Sequence, residues 1–128
     1  MECRVLVIDD EQDFVETLVR RLERRGFKAY GALRGREGLD LLERHEIDVV
    51  VLDIRMPEMD GLEVLETIKR RWPFVEVILL TGHGSLESSL KGLELGAYDY
   101  MLKPADLADL IRKIKEAHER KLLRREQG

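Results

Sequence analysis

The sequence predicts a single α/β domain built around a parallel β-sheet, with helices packed on both faces. Its 128 residues match the usual size of one globular domain with one core. Short β-branched apolar runs alternate along the chain with segments of helical period. Several runs are apolar at consecutive positions, which is typical of strands buried on both faces of a parallel sheet. Neither a Gly/Ser/Pro-rich linker nor an internal repeat divides the chain, so we expect one domain.

Five apolar runs have the length and composition of strands, and they cover residues 5–9, 29–33, 48–53, 75–81 and 98–103. Strands that alternate with helices are joined by right-handed crossovers, because only that hand packs the helix back onto a twisted sheet. If the strand order is 2-1-3-4-5, the first and third strands are neighbours.

Five further segments carry the amphipathic period of helices. The first ends at Gly26 after a cationic turn, and the third begins at Asp60, an N-cap followed three residues later by a glutamate. The second, over residues 36–45, has the poorest pattern, because Gly35 and Gly38 would each cost roughly 1 kcal/mol against alanine if they are internal to the helix. The predicted core-facing residues are, in chain order, Phe14, Val15, Leu18, Val19, Leu22, Leu39, Leu42, Val64, Leu65, Ile68, Trp72, Leu86, Leu90, Leu93, Leu107, Leu110, Ile111 and Ile114.

Composition excludes several classes of protein. With 22 basic and 26 acidic residues the net charge is -4, which gives no general attraction to nucleic acid or an anionic membrane. Cys3 is the single cysteine, so it excludes an internal disulfide, and we expect a buried, inert thiol in a reducing compartment. The N-terminus lacks a secretory core and the longest apolar stretch is too short to span a bilayer. We therefore expect a soluble, cytoplasmic protein.

Motifs for other chemistries are missing from the sequence. No Cys/His cluster suggests zinc, and His45 and His118 have no convincing partners, so both are interpreted as surface residues. The segment Gly82-His83-Gly84 is not a phosphate-binding P-loop, since no Gly-Lys-Ser/Thr follows. No G-x-G-x-x-G follows the first strand, which argues against dinucleotide binding.

Residues that are costly to bury stand at the carboxyl ends of the predicted strands. Asp9 and Asp10 end the first, Asp53 the third, Thr81 the fourth and Lys103 the fifth. Ligands of open parallel sheets bind at these ends, where the strand order reverses. Three converging carboxylates repel one another and favour a hard cation such as magnesium. The lysine and the hydroxyl suit a phosphoryl group beside the metal, and one aspartate can serve as its acceptor, although this chemistry alone does not say which.

Four segments, in order and at matching spacing, resemble the receiver domain of bacterial response regulators. The resemblance covers about residues 4–120. The segments are Val7-Ile8-Asp9-Asp10-Glu11, Leu52-Asp53-Ile54-Arg55-Met56-Pro57-Glu58-Met59-Asp60-Gly61, Leu80-Thr81-Gly82-His83-Gly84, and Gly96-Ala97-Tyr98-Asp99-Tyr100-Met101-Leu102-Lys103-Pro104. The fold it implies is a doubly wound, flavodoxin-like three-layer sandwich with five helices and a five-stranded parallel sheet of order 2-1-3-4-5.

Carried over residue by residue, the resemblance makes Asp53 the phosphoacceptor. It implies that Asp10, Asp53 and the backbone carbonyl of Arg55 bind Mg²⁺, with Asp9 holding the metal or one of its waters. It also implies that Lys103 pairs with the phosphoryl group and that a cis peptide precedes Pro104.

The resemblance further implies a switch made of Thr81 and Tyr100. The threonine hydroxyl moves to the phosphoryl group, the aromatic ring turns inward, and the face of the fourth helix, fifth strand and fifth helix changes for a partner. Residues two positions beyond Asp53 and Thr81 tune the lifetime of the acyl phosphate in this family. We hypothesise that Arg55 and His83 lengthen it by hindering the hydrolytic water.

The function implied is a phosphorelay switch that catalyses only its own phosphotransfer and hydrolysis. Its partners would be a sensor histidine kinase or phosphotransfer protein, an output domain or downstream protein that controls transcription, and a second copy in a homodimer. Two segments look most like regulators of the nitrogen-regulation type, where an ATPase domain follows: Thr81-Gly82-His83-Gly84 and Leu95-Gly96-Ala97-Tyr98-Asp99-Tyr100. Two alternatives are an aspartate-nucleophile phosphatase, disfavoured because Arg55 stands where such enzymes have a second aspartate, and a receiver-like module that is never phosphorylated.

The last predicted helix continues into a tail of mixed charge over residues 112–125. Such a pattern is typical of a solvated helix, so we expect a connection to an output domain or a dimer contact rather than DNA binding. The predicted division is a receiver domain over residues 1–120 and a helix extension or start of a linker over residues 121–128.

Overall fold

A computed structural model describes residues 2–55, 60–82 and 86–127, and within these ranges five strands alternate with five helices. The strands are β1 (Arg4–Ile8), β2 (Lys28–Ala32), β3 (Val49–Leu52), β4 (Glu76–Thr81) and β5 (Asp99–Leu102). The helices are α1 (Gln12–Arg24), α2 (Gly35–Arg44), α3 (Gly61–Arg71), α4 (Leu86–Glu94) and α5 (Leu107–Gln127).

All strand pairs are parallel and the order is β2-β1-β3-β4-β5, which confirms the predicted topology. In the register of the neighbouring strands β1 and β3, Ile8 lies beside Leu52. The residues that follow, Asp9 and Asp53, therefore leave the sheet at the same edge. On the other side of β4, Thr81 lies beside Leu102, so Lys103 reaches this edge as well.

The sheet separates two apolar cores, because successive strand residues point to opposite faces. One core joins alternate residues of β1, β3 and β4 to α1 and α5, and the other joins the remaining strand residues to α2 and α3. This explains why the strands are apolar at consecutive positions. The largest fully buried apolar side chains are those of Leu6, Ile8, Leu22, Leu52, Leu65, Ile68, Ile78, Leu79, Leu80 and Ile114.

The predicted core face of α4 is wrong at two of three positions. Leu86 and Leu90 are 59% and 51% exposed, whereas Ser89 and Gly92 are buried. A Cβ atom on Gly92 would lie 2.3 Å from a methyl carbon of Leu79, so α4 approaches the sheet through its small residues. The hydrophobic period does not show which face of α4 packs against the sheet, since the leucines and the small residues both recur at helical spacing.

The helix with two glycines, α2, forms as predicted. Gly35 is its first residue, and Gly38 is internal and buried. A Cβ atom on Gly38 would lie 2.4 Å from Ile8, so the glycine permits a close contact between helix and sheet that offsets its low helical propensity.

The α5 helix departs from its predicted surroundings. Leu110, Ile111 and Ile114 are buried as expected, but Leu107 is only partly buried. His118, expected on the surface, is buried, because α5 continues along the sheet as far as Gln127. His45 is exposed, as expected. The division at residue 120 stays a prediction.

Cys3 is buried, as the sequence analysis predicts. Burial, reinforced by the nearby charge of Asp48, raises the pKa of its thiol to about 12. The thiol is therefore protonated at neutral pH. Within the described ranges, every helix is too short or too polar to cross a membrane.

Candidate functional site

Three carboxylates meet at the carboxyl edge, the name used here for the site formed by Asp9, Asp10, Asp53, Thr81 and Lys103. Asp9, Asp10 and Asp53 each offer an oxygen within 4.8 Å of the other two. Asp9 and Asp53 are buried and Asp10 is exposed. Backbone bonds fix the two buried residues, since the Asp53 N–H donates to the Ile8 carbonyl at 2.9 Å and the Asp9 N–H donates to the Ala32 carbonyl at 3.1 Å.

The charge of Asp53 is costly in this position. Its burial, and then the negative charge of Asp9, raise the pKa of Asp53 to about 6, although the Arg55 N–H and Lys103 oppose the shift. Burial also raises the pKa of Asp9 above its ordinary value, and its hydrogen bond from Lys103 offsets only part of that effect. The buried carboxylates are therefore short of positive charge.

Lys103 supplies the cation of the site. Its Nζ donates to Asp9 Oδ2 at 2.5 Å and to Glu11 Oε1 at 3.0 Å, and it lies 4.5 Å from the centre of the Phe14 ring. Burial favours the neutral amine, but the bonds to Asp9 and Glu11 outweigh it and raise the pKa of Lys103. The lysine is thus a fixed cation at the edge of the carboxylate cluster.

Sequence reasoning assigned no role at this site to Glu11 or Phe14. Glu11 stands directly after the two aspartates, and that position is the one sequence feature that could have placed it at the site. Phe14 was interpreted only as part of the core-facing stripe of the first helix. The predicted cis peptide between Lys103 and Pro104 is present.

Thr81 is fully buried at the end of β4, and no described residue hydrogen-bonds its hydroxyl oxygen. Its carbonyl accepts a bond from the Lys103 N–H at 2.7 Å, which ties the ends of the fourth and fifth strands together. An unpaired buried hydroxyl costs about 1–3 kcal/mol, so it is a polar group that a ligand can satisfy. Tyr100 is partly buried and packs against the core on the α2 and α3 face.

The segment after β3 brings backbone groups close to the carboxylates. The Arg55 N–H donates to Asp53 Oδ1 at 3.2 Å, while the Arg55 side chain is exposed. A Cβ atom on Gly61 would lie 2.6 Å from the Asp53 carbonyl oxygen, so glycine lets the start of α3 approach this segment. As predicted, the Asp60 side chain caps α3 by accepting a bond from the Leu62 N–H at 3.0 Å. The residue predicted to act with Arg55, His83, lies outside the described residues.

The donor set fits a hard divalent cation. Its side-chain donors are all carboxylate oxygens, which are the ligands that magnesium prefers. Two of the three carboxylates are buried, and a bound cation would offset both the burial and the repulsion from Asp9 that raise the pKa of Asp53.

Comparisons with known proteins agree with this geometry. Residues 5–115 match the family described as the response regulator receiver domain. An NtrX-like response regulator of Rickettsia bellii is 38% identical over 124 residues, which are 95% of this chain and 26% of that protein. The regulatory protein AtoC of Escherichia coli is 38% identical over 107 residues, which are 84% of this chain and 23% of that protein.

Solved structures show the same likeness. A response regulator receiver domain protein from Clostridium thermocellum has a TM-score of 0.90 and 36% identity, over 94% of this chain and 98% of that one. NtrX from Brucella abortus, solved with ADP, has a TM-score of 0.92 and 31% identity, over 98% of this chain and 29% of that one. The chain thus spans about a quarter of the length of the NtrX-like relatives that it matches.

Proposed function

Because the chain belongs to the response regulator receiver domain family, we propose that it is a phosphorylation-dependent signalling switch whose acceptor is Asp53. The observation that carries the proposal is the meeting at the carboxyl edge of buried carboxylates, the fixed lysine Lys103 and a buried hydroxyl, Thr81, that has no partner among the described residues. The phosphoryl donor is a histidine kinase or a phosphotransfer protein.

In the transfer, a carboxylate oxygen of Asp53 forms a bond to phosphorus as the bond to the donor's leaving group breaks. The leaving group departs with the bonding electrons, so Asp53 must be ionised to attack. Lys103 neutralises charge on the transferred oxygens, and the Thr81 hydroxyl donates a hydrogen bond to one of them. A magnesium ion held by Asp10, Asp53 and the Arg55 carbonyl, with help from Asp9, would supply further charge neutralisation.

The response begins at Thr81. Its hydroxyl has no partner among the described residues, so a new bond to a phosphoryl oxygen costs no existing bond there. Movement of Thr81 leaves space at the end of β4, and Tyr100 on the neighbouring strand turns inward to fill it. The exposed leucines Leu86, Leu90 and Leu102 lie on the elements that change, where they are available to a partner.

The lifetime of the acyl phosphate depends on the water that hydrolyses it. Arg55 is exposed two residues beyond the acceptor, and we propose that it hinders this water together with His83. Replacement of the pair by Arg55→Asn and His83→Ala is expected to speed dephosphorylation. An unchanged dephosphorylation rate would refute this role.

The output is an effector outside the matched residues. The relatives that the chain matches include NtrX-like regulators and AtoC, of which it covers about a quarter. We therefore propose that the chain is part of a longer regulator of the nitrogen-regulation type. This regulator acts on transcription in the cytoplasm and forms a homodimer. The receiver domain turns over no separate substrate and makes no direct contact with nucleic acid.

Intact mass after incubation with acetyl phosphate tests the function. The expected result is a gain of one phosphoryl group that requires magnesium and is absent from Asp53→Asn. Asp40→Asn, which changes an exposed aspartate of α2, serves as the matched control and should gain the group. If the folded wild-type protein gains no group and binds no beryllofluoride, it is a receiver-shaped interaction module instead.

A further inference from the structure

A second cluster of metal-ligating side chains is buried at the opposite edge of the sheet, where the strands have their amino ends. Cys3 precedes β1, Asp48 precedes β3 and His118 lies in α5, and their exposed fractions are 7%, 6% and 9%. One ligand atom from each lies within 4.8 Å of the other two, and His118 Nε2 is 3.8 Å from Asp48 Oδ2. The proposed phosphoryl chemistry uses none of the three.

We propose that Cys3 Sγ, Asp48 Oδ2 and His118 Nε2 form a site for a transition-metal dication of the zinc class. Zinc binds sulfur, imidazole nitrogen and carboxylate oxygen together, and three protein ligands with one water is a common set. Bond lengths of about 2.0–2.3 Å place tetrahedral ligands roughly 3.5 Å apart. The 3.8 Å between His118 Nε2 and Asp48 Oδ2 is close to that value, and the Cys3 ligand atom lies within 4.8 Å of the other two residues' ligand atoms.

The two oxygens of Asp48 have different partners. Oδ1 accepts a bond from Lys121 Nζ at 2.6 Å. Oδ2 accepts the Arg4 backbone N–H at 2.8 Å and faces His118. The Arg4 amide therefore orients the oxygen that would bind the ion, in the way that outer groups orient metal ligands.

Lys121 competes with a bound ion. It is itself buried, and its ammonium neutralises Asp48 in the metal-free protein. Two like charges a few ångströms apart repel strongly at a site with little water, so Lys121 weakens metal binding. The thiol also has to release its proton to solvent as the bond from Sγ to the metal forms, which weakens binding further.

The two edges differ in the ions they favour. The carboxyl edge offers oxygen ligands, which suit magnesium. The proposed site combines one sulfur, one nitrogen and one oxygen, a set that selects zinc or cobalt over magnesium. An excess of magnesium therefore leaves the proposed site free for titration.

Cobalt titration of the full chain in excess magnesium tests the site. Because Cys3 is the single cysteine, thiolate-to-cobalt charge-transfer absorption reports on this position alone. We expect saturable absorption at one ion per chain that zinc removes. Cys3→Ser should abolish it, and His118→Gln should weaken cobalt affinity by about tenfold or more. His45→Gln, which changes an exposed histidine, is the matched control and should leave it unchanged.

A third variant tests the proposal through a gain of affinity, which loss of fold cannot produce. Lys121→Met removes the competing ammonium, so cobalt affinity should rise by about tenfold or more and zinc should raise the melting temperature of this variant more than that of the wild type. Circular dichroism checks that each variant is folded. Absence of the absorption from the wild type, or absorption that His118→Gln leaves unchanged, would overturn the proposal.

Discussion

The two edges of the sheet carry buried charge in opposite ways. At the carboxyl edge, Asp9 and Asp53 share one lysine, and the pKa of Asp53 is raised to about 6. At the other edge, Glu76 is fully buried but forms ion pairs with Lys69, Arg120 and Arg124 at 3.1–3.5 Å. Buried charge is costly in either place, so the carboxyl edge, where the described residues leave it short of partners, is the one prepared for the phosphoryl group.

The ion pairs at the edge opposite the carboxyl edge also hold α5 in place. Asp48 bonds Lys121, and Glu76 bonds Arg124, so two buried carboxylates hold the second half of this helix against the sheet. Breaking a buried pair leaves an uncompensated charge and is strongly destabilising. The charges of this edge therefore stabilise the fold, whereas those of the carboxyl edge serve the proposed function.

The largest effect on stability is expected from Lys121→Met without added metal. Asp48 then keeps a buried charge without its ammonium partner, which should lower the free energy of unfolding by about 3–5 kcal/mol. Urea denaturation measures the loss, and Lys115→Met, at an exposed position of α5, is the control. Equal midpoints for the two variants would show that the buried pair does not stabilise the fold.

Asp53→Asn should act in the opposite direction. The pKa of Asp53 is higher in the folded protein than its ordinary value of 3.8, so the folded state binds this proton more tightly and loses stability as the pH rises from about 4 to about 6. In chelator at pH 7, the variant should therefore be more stable than the wild type by about 3 kcal/mol.

Denaturation at several pH values checks this prediction. The advantage of Asp53→Asn should shrink towards pH 4, where the wild-type carboxyl is protonated, and magnesium should reduce it at pH 7 by stabilising the wild type. A stability advantage that is independent of pH would mean that ionisation of the buried Asp53 carboxyl is not its cause.

Thr81→Val should raise stability by about 1 kcal/mol, because it removes a buried hydroxyl that lacks a partner among the described residues. It should also uncouple phosphorylation from the change in the face formed by α4, β5 and α5. Ser89→Ala removes another such hydroxyl, from α4, and should stabilise without uncoupling. Amide chemical shifts after beryllofluoride addition compare the variants, and an identical response in both would exclude Thr81 as the switch.

The smallest effect is expected from Glu11→Gln. Glu11 is largely exposed, so loss of its ion pair with Lys103 should change stability by less than about 1 kcal/mol. The lysine loses a competing partner, and phosphorylation by acetyl phosphate should become about twofold to fivefold faster. Glu16→Gln, on the exposed side of α1, is the control. A slower rate would indicate that Glu11 positions Lys103 instead of competing for it.

The fold was predictable because its signals are local. Consecutive apolar residues predict the buried parallel strands, and Asp60 and Gly26 mark helix ends in the sequence itself. The carboxyl-edge residues were predictable because strand ends place them at one edge. Their roles came from the family resemblance, since the geometry alone does not distinguish the acceptor among three aspartates.

The residues that were missed depend on contacts between distant segments. Lys121 and His118 look like surface residues because their partner, Asp48, is about seventy positions earlier in the chain. Leucines at Leu86 and Leu90 fit a core-facing period, yet α4 turns its small residues to the sheet. Rules based on hydrophobicity treat charged residues as exposed and leucines as buried. They fail where ion pairing buries a charge, or where close packing of a helix against the sheet leaves its leucines exposed.

Hydrogen–deuterium exchange with magnesium and beryllofluoride tests most directly that the two edges have different roles. We predict altered exchange around Asp53, around Thr81 and along β5, with unchanged exchange at the start of β3 and the start of β4. The same experiment on Asp53→Asn should show no change at either edge. Altered exchange at both edges, or unaltered exchange at the carboxyl edge, would contradict the account.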